Sequence, residues 1–203
     1  MTNPNRQAEV VFNNKLAKDY FDIWETCPIQ QYTNEIEADF IGKYVPDSSR
    51  VLVAGSGGGR ELPALVARRC KITAVDISPA MIEAGKQHYP NMPIEWVVGD
   101  IHHLSQPDGS YEAIIALGAV YNYLDDPVGF LKEAHRVLAE SGVMVLAVLN
   151  NDHASERHGS KVLRDGRVRN LYKRQDVEKM LVDAGFGIRE CRGVRYLVDM
   201  LPS

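Results

Sequence analysis

Cysteine is scarce in this 203-residue chain: Cys27, Cys70 and Cys191 are scattered and lack CxxC spacing. That argues against a disulfide framework or a zinc site and fits a reducing compartment. Long apolar runs are missing too. The longest, Val143 to Leu149, falls far short of the ~20 residues that span a bilayer, and the polar start MTNPNRQAEVVFNN has no signal-peptide core. No charge of one sign dominates: 23 Lys and Arg against 27 Asp and Glu leave −4, no general field for nucleic acid. There is no internal repeat and no low-complexity linker. A composition 45% hydrophobic and 25% charged excludes disorder, collagen and a coiled coil. At roughly 150 residues per domain, a single cytoplasmic domain over 1–203 is expected, without metal, membrane or nucleic-acid partner.

What is present is alternation. Two helical stretches come first, about 6–20 and 30–44, the second with Ile36, Phe40, Ile41 and Tyr44 at helical spacing. Short apolar strands then alternate with helices. The strands are predicted at RVLVAG (50–55), KITAVD (71–76), IEWVVGD (94–100), YEAIIALG (111–118), VMVLAVLN (143–150) and GIREC (187–191). The helices fall at about 61–69, from the Ser78-Pro79 cap to 88, from the Asp126-Pro127 cap to Ser141-Gly142, and at 174–184, before Gly185. This pattern predicts an α/β fold, a doubly wound and mostly parallel sheet of six strands. Ligands of such sheets sit at the carboxyl ends of the strands, near the point where strand order reverses. Gly55–Arg60, Asp76–Ile77, Gly99–His103, Leu117–Tyr123 and Asn150 all fall at that edge.

The loop Gly55-Ser56-Gly57-Gly58-Gly59 joins the first strand to its helix, and glycine there lets backbone approach a ligand. Asp76 ends the second strand 17 residues after Gly59, where a carboxylate can accept from both ribose hydroxyls. Loop and acid together point to a nucleoside. The dinucleotide fingerprint GxGxxG is not met, because Arg60 stands where the third glycine belongs. The compact GxGxG spacing suits a ligand without pyrophosphate.

VLVAGSGGG, AVDISPAMIEAGKQ, VVGDI, YEAIIALGAVYNYLDDP and EAHRVLAESGVMVLAV resemble, in order and spacing, the class I S-adenosylmethionine-dependent methyltransferases over about residues 45–190. The resemblance implies S-adenosyl-L-methionine as cofactor in a Rossmann-like core at 46–150, with 1–45 as a helical lid and 151–203 on the substrate side. It implies that Gly55, Ser56 and Gly57 line the methionine half. Asp76 would hold the ribose, Ile77 and Met81 would pack on adenine, Asp100 would meet its amino group and Ile101 would cover the ring. Leu117 and Gly118 would face the sulfonium, and Tyr20 with Trp24 would close an aromatic lid. One residue departs from the family: Val53 stands where an acid usually helps to hold the methionine ammonium.

Transfer from a sulfonium needs mainly an oriented acceptor, with a base where the acceptor carries a proton. Tyr121, Asn122 and Tyr123 are the candidates for orientation. His153 is the candidate base, with His158 beside it, and His102 and His103 are expected at a solvent-facing rim. Between Arg157 and Arg174, seven basic residues face one acid, Asp165; the run reads as a solvated loop or as a site for an anionic substrate. No [D/N]PP[Y/F] run follows the fourth strand, and no cysteine lies near strands four or five. Both absences favour a small-molecule acceptor over a nucleic-acid base.

The family completes its sheet with a seventh strand, and RGVRYLVDMLPS is tight for one. An unpaired edge would favour a homodimer. Methyl transfer to a small-molecule O, N or C acceptor is therefore the leading reading. An NAD(P)-dependent oxidoreductase and a non-catalytic binder of the same fold are the alternatives.

Overall fold

A computed structural model describes residues 4–118, 120–149 and 159–192. Helix α1 spans Pro4–Leu16, α2 Tyr20–Thr26 and α3 Pro28–Tyr44. The predicted helix over 6–20 thus ends early, and a further one, α2, intervenes. Pro28 explains the second break: it disfavours helical backbone at the residue before it, and Cys27 is extended (φ −82°, ψ 116°). The alternating part follows as β1 Arg50–Ala54, α4 Leu62–Ala67, β2 Lys71–Asp76, α5 Pro79–His88, β3 Ile94–Val98 and β4 Tyr111–Ala116. After a 3-10 turn at Val120–Tyr123 come α6 Pro127–Val137, β5 Leu138–Leu146, β6 Gly159–Val162, β7 Val168–Leu171 and α7 Arg174–Asp183.

The main sheet has five parallel strands in the order β3-β2-β1-β4-β5. The order reverses between β1 and β4, so their carboxyl ends form the switch point. Two predicted features are corrected. GIREC (187–191) forms no strand, so the sheet has five strands among the described residues, not six. The last of its parallel pairings is Ala116 with Leu146 on β5, whose outer edge no described strand covers. The basic stretch is no plain loop either. Its larger part folds as the antiparallel β6–β7 hairpin, turned at Gly166, where Leu163 N–H donates to Arg167 O (2.8 Å). Also, β5 starts at Leu138 rather than Val143. Leu138 pairs with Tyr111 before the register shifts to Ala113 with Val143, leaving Ser141-Gly142 in the bulge.

Strand alternation divides the core between the two faces. Leu52, Ala54, Ile114 and Ala116 face Phe130, Leu131, Ala134 and Val137 of α6. Val51, Val53, Ala113 and Ile115 face Ile41 and Val45 at the end of α3, and Leu62 and Leu65 of α4. Each such buried Leu, Ile or Phe contributes roughly 1.5–3 kcal/mol. Val53 is only 1% exposed; it fills this core, where a carboxylate would need a partner.

Helix α5 carries its own N-cap, Ser78, whose Oγ accepts from Met81 N–H (3.2 Å). It lies so close to the glycine loop that a Cβ on Gly85 would stand 2.8 Å from the Gly58 carbonyl and 2.3 Å from Trp96. Gly85→Ala gains helix propensity of about 1 kcal/mol but overpacks a backbone contact at a cost of about 1–3 kcal/mol. The expected outcome is a net loss of about 1–2 kcal/mol in chemical denaturation. Gly42→Ala, on exposed α3 surface with nothing within 4 Å, should be neutral or stabilising.

Candidate functional site

The carboxyl edge is organised by one carboxylate. Asp76 Oδ2 accepts from Gly57 N–H and Oδ1 from Ser78 N–H, both at 2.8 Å. The glycine loop and the start of α5 are thereby fixed to the end of β2. Gly55 and Ser56 N–H both donate to Val75 O (2.9 and 3.0 Å), and Gly59 N–H closes the loop on Ser56 O (2.8 Å). Gly57 has φ +52°, and a Cβ there would stand 3.0 Å from the Tyr20 hydroxyl, so turn and close approach both call for glycine. Burial pushes the Asp76 carboxyl upward, and the two N–H donors oppose that shift.

Tyr20 is buried over Gly57 and Gly58 and meets Phe21 edge to face. Trp24 lies beneath the Arg60 guanidinium, 4.0 Å from ring centre to carbon. The α2 aromatics thus cover the loop. Helix α1 also crosses the edge, within the 1–45 stretch expected as a lid. Ser78 Oγ donates to Asn14 Oδ1 (2.7 Å), Val168 N–H to Asn5 Oδ1 (2.8 Å) and Asn5 Nδ2 to Tyr123 O (3.3 Å). Arg6 pairs with Asp100 and Asp125. Glu9 faces Arg167, whose guanidinium is sandwiched between the Phe12 and Tyr123 rings. Burial pushes the Glu9 carboxyl up to about 7 against the pull of Arg167. These α1 residues had no local sequence signal, since their partners lie 64 to 163 positions away.

The other expected residues divide. Asp100 reaches the edge, with Oδ1 2.7 Å from His102 Nδ1; burial acts upward there, but His102 and Arg6 hold the carboxyl below the usual range. Ile77 is half-buried beside Asp76, whereas Met81 and Ile101 are buried. Leu117 is buried, and Gly118 stands at the end of β4 across from Arg60. His102 is not at a solvent-facing rim: it is buried, and its Nε2 lies 3.1 Å from Asp126 O. His103 is exposed as expected.

Tyr121 and Asn122 depart from the acceptor-orienting role. Both are fully buried. The Tyr121 hydroxyl donates to Met180 Sδ (3.6 Å), and its ring packs on Tyr172. Asn122 Nδ2 donates to Leu149 O and Asn170 O (3.1 and 2.8 Å), while its Oδ1 accepts from Leu149 N–H (2.7 Å). Its amide is committed to joining the segment after β5 to β7. Tyr123, half-buried beside Arg167, is the member of the trio with surface left. His153 and His158 lie outside the described residues.

A recess of about 860 Å³ lies at the opposite edge among Arg50, Lys71, Thr73, Glu95 and Tyr111. It touches neither the glycine loop nor Asp76. Ligands of parallel sheets bind at the carboxyl ends, so the closed edge under α1 and α2 is the candidate site. Among the described residues no group of three His, Cys, Asp or Glu is placed to hold a metal, and no helix is long and apolar enough to cross a membrane.

Residues 52–146 match the family described as a methyltransferase domain. Over these residues the chain carries a methyltransferase domain, and it shares its sequence pattern and fold with class I S-adenosylmethionine-dependent methyltransferases. It is 30% identical over 143 residues to a malonyl-[acyl-carrier protein] O-methyltransferase of Halorhodospira halophila, covering 68% of this chain and 48% of that one. A solved structure described as an S-adenosyl-L-methionine-dependent methyltransferase, from Methanococcus maripaludis, superposes with a TM-score of 0.60 at 25% identity, over 68% and 64% of the two chains. The 1,6-didemethyltoxoflavin-N1-methyltransferase of Burkholderia thailandensis, solved with S-adenosylhomocysteine, shares the fold with a TM-score of 0.66 at 17% identity, over 91% and 80%. The chain spans about half the length of the curated relatives it matches.

In this methyltransferase domain Glu61, next to the glycine loop, is buried. Burial pushes its carboxyl up to about 7, with Arg60 pulling the other way. The folded state then binds more protons than the unfolded chain between about 4.5 and 7, so stability falls as pH rises through that window. Glu61→Gln removes the Glu61 share of this dependence and leaves that of Glu9, which is raised likewise. Its advantage over the parent should be absent near pH 4.5 and grow to about 3 kcal/mol by pH 8, read from paired denaturation curves.

Proposed function

We propose that the chain binds S-adenosyl-L-methionine at the carboxyl edge of β1, β2, β3 and β4 and directs its methyl group to a small-molecule acceptor. The observation that carries the reading is Asp76. It is a buried carboxylate whose two backbone bonds hold the glycine loop while further lone pairs stay able to accept ribose hydroxyls. The residues fit the cofactor in a second respect: Arg60 Nη2 is buried without a hydrogen-bond partner beside Gly118, as a site for an anionic group requires.

When bound, the cofactor supplies an electrophilic methyl on a sulfonium that needs no further activation. The remaining work belongs to the chain. Gly55, Ser56 and Gly57 present backbone along the amino-acid half. Ile77, Met81 and Ile101 supply the apolar side for the base, and Asp100 offers a carboxylate to its amino group. Arg6 holds Asp100 in this arrangement, so adenine recognition there requires α1 to share or yield that carboxylate. Tyr20 and the α1–α2 covering exclude water from the transfer.

The acceptor side is formed by Tyr123, Arg167 and the β6–β7 hairpin, with His153 proposed as a base for an acceptor that carries a proton. Two relatives bear on the acceptor class. The Halorhodospira halophila protein is named for O-methylation of malonyl-[acyl-carrier protein], and the Burkholderia thailandensis enzyme for N1-methylation of 1,6-didemethyltoxoflavin. Arg167 is buried and paired with Glu9 and Asp165, so the anion-binding character of this surface rests on the exposed Lys161 and Arg164 of the hairpin. A nicotinamide dinucleotide is less suited. Arg60 occupies the place of the third glycine, with its guanidinium engaged over Trp24, where a pyrophosphate would need a close, open helix start.

Calorimetric titration tests the reading. S-adenosylhomocysteine should bind and NADH should not. Asp76→Ala should weaken the first by about 100-fold or more, because two charge-assisted bonds are removed. Binding of NADH by the parent, or undiminished binding by the variant, would overturn it.

A further inference from the structure

Arg60 is the most completely buried cation whose hydrogen-bonding capacity is left unfilled. Its side chain is 6% exposed. Nη1 faces α3, donating to Asn34 Oδ1 and pairing with Glu37, and the guanidinium plane lies on Trp24. Nη2 has no hydrogen-bond partner. It lies 3.6 Å, and Nε 4.0 Å, from the point where a Cβ on Gly118 would stand. The unused side of the guanidinium is therefore turned toward the β1–β4 switch point, at a residue with no side chain to block it. A cavity of about 190 Å³ opens on Asn34, Glu37, Arg60 and Glu61, so the surroundings of the ion pair are not filled by packing. Burial disfavours the charge on Arg60, but Glu61 and Glu37 outweigh burial and keep it protonated.

A buried, charged donor left without an acceptor beside Gly118 at the carboxyl edge calls for an anion with hydrogen-bonding oxygens. Resting on the cofactor reading above, we infer that Arg60 binds the carboxylate of the amino-acid end of the cofactor, and that Glu37 is the positioning residue that fixes the guanidinium. The arrangement offsets the departure at Val53. Where an acid is missing from β1, anchorage of the amino-acid end moves from its ammonium to its carboxylate. The site then selects cofactors by the charge at their tail and not by the adenosine alone.

The test is a binding series on the full chain with three probes: S-adenosylhomocysteine, its decarboxylated analogue, which keeps the amine, and 5′-methylthioadenosine, which lacks the whole tail. The parent should prefer S-adenosylhomocysteine over the decarboxylated analogue by about 30-fold. Arg60→Met should reduce that preference to within about threefold while leaving 5′-methylthioadenosine binding unchanged, a pattern that general destabilisation would not produce. Arg60→Lys, which keeps the charge and guards against a misfolded Met variant, should retain about a third of the preference. Glu37→Gln should lower the ratio without abolishing binding. Equal binding of the first two probes by the parent, or an undiminished ratio in Arg60→Met, would overturn the proposal and leave the cofactor reading standing. Binding of none of the three by the parent would overturn both.

Discussion

The Asp76 carboxylate is the constraint on which this edge of the molecule depends. By accepting from Gly57 and Ser78 it joins three pieces of chain that the sheet alone would leave independent: the end of β2, the glycine loop and the start of α5. With the loop held this way, Gly85 of α5 approaches the Gly58 carbonyl and Tyr20 closes on Gly57 and Gly58. The loop is thus fixed from below by a carboxylate and covered from above by an aromatic ring. For the proposed nucleoside site this is preorganisation, which lowers the ordering cost of binding.

Around that anchor, charge is arranged in two buried groups with different partners. One surrounds Arg60, with Glu37, Glu61 and Asn34 on the α3–α4 side. The other surrounds Arg167, with Glu9, Asp165, Phe12 and Tyr123 between α1 and the hairpin. Buried ion pairs add little net stability, because desolvation offsets their attraction. Their value here is positional. The first group orients a guanidinium toward the switch point, and the second fixes α1 against β7 so that Arg6 and Asn14 reach across the edge.

Much of this was legible in the sequence where the causes are local. The GxGxG spacing, the Ser78-Pro79 and Asp126-Pro127 caps and the acid ending β2 are each local signals; the structure has both caps in place and Asp76 bonded to the glycine loop. The β6–β7 hairpin was obscured because seven basic residues dominate 157–174, although Asp165-Gly166 is itself a turn signal. Tyr121 and Asn122 looked like site residues because they follow β4. Their burial is decided by Met180, Tyr172 and Asn170, residues some 50 to 60 positions away that only the tertiary fold brings in. The same holds for Arg6 and Asp100. At 187–191, strand-like composition forms no strand although no described strand covers the outer edge of β5; propensity alone does not make a strand.

The account's central claim is that Asp76 and the loop it holds form the nucleoside site. A crystal structure of the chain at saturating S-adenosylhomocysteine tests it most directly. The account predicts both ribose hydroxyls on the Asp76 carboxylate, with the Gly57 and Ser78 bonds retained and the amino-acid tail running over the glycine loop. Density for the ligand away from Asp76, such as in the recess among Arg50, Lys71 and Glu95 at the opposite edge, would contradict it.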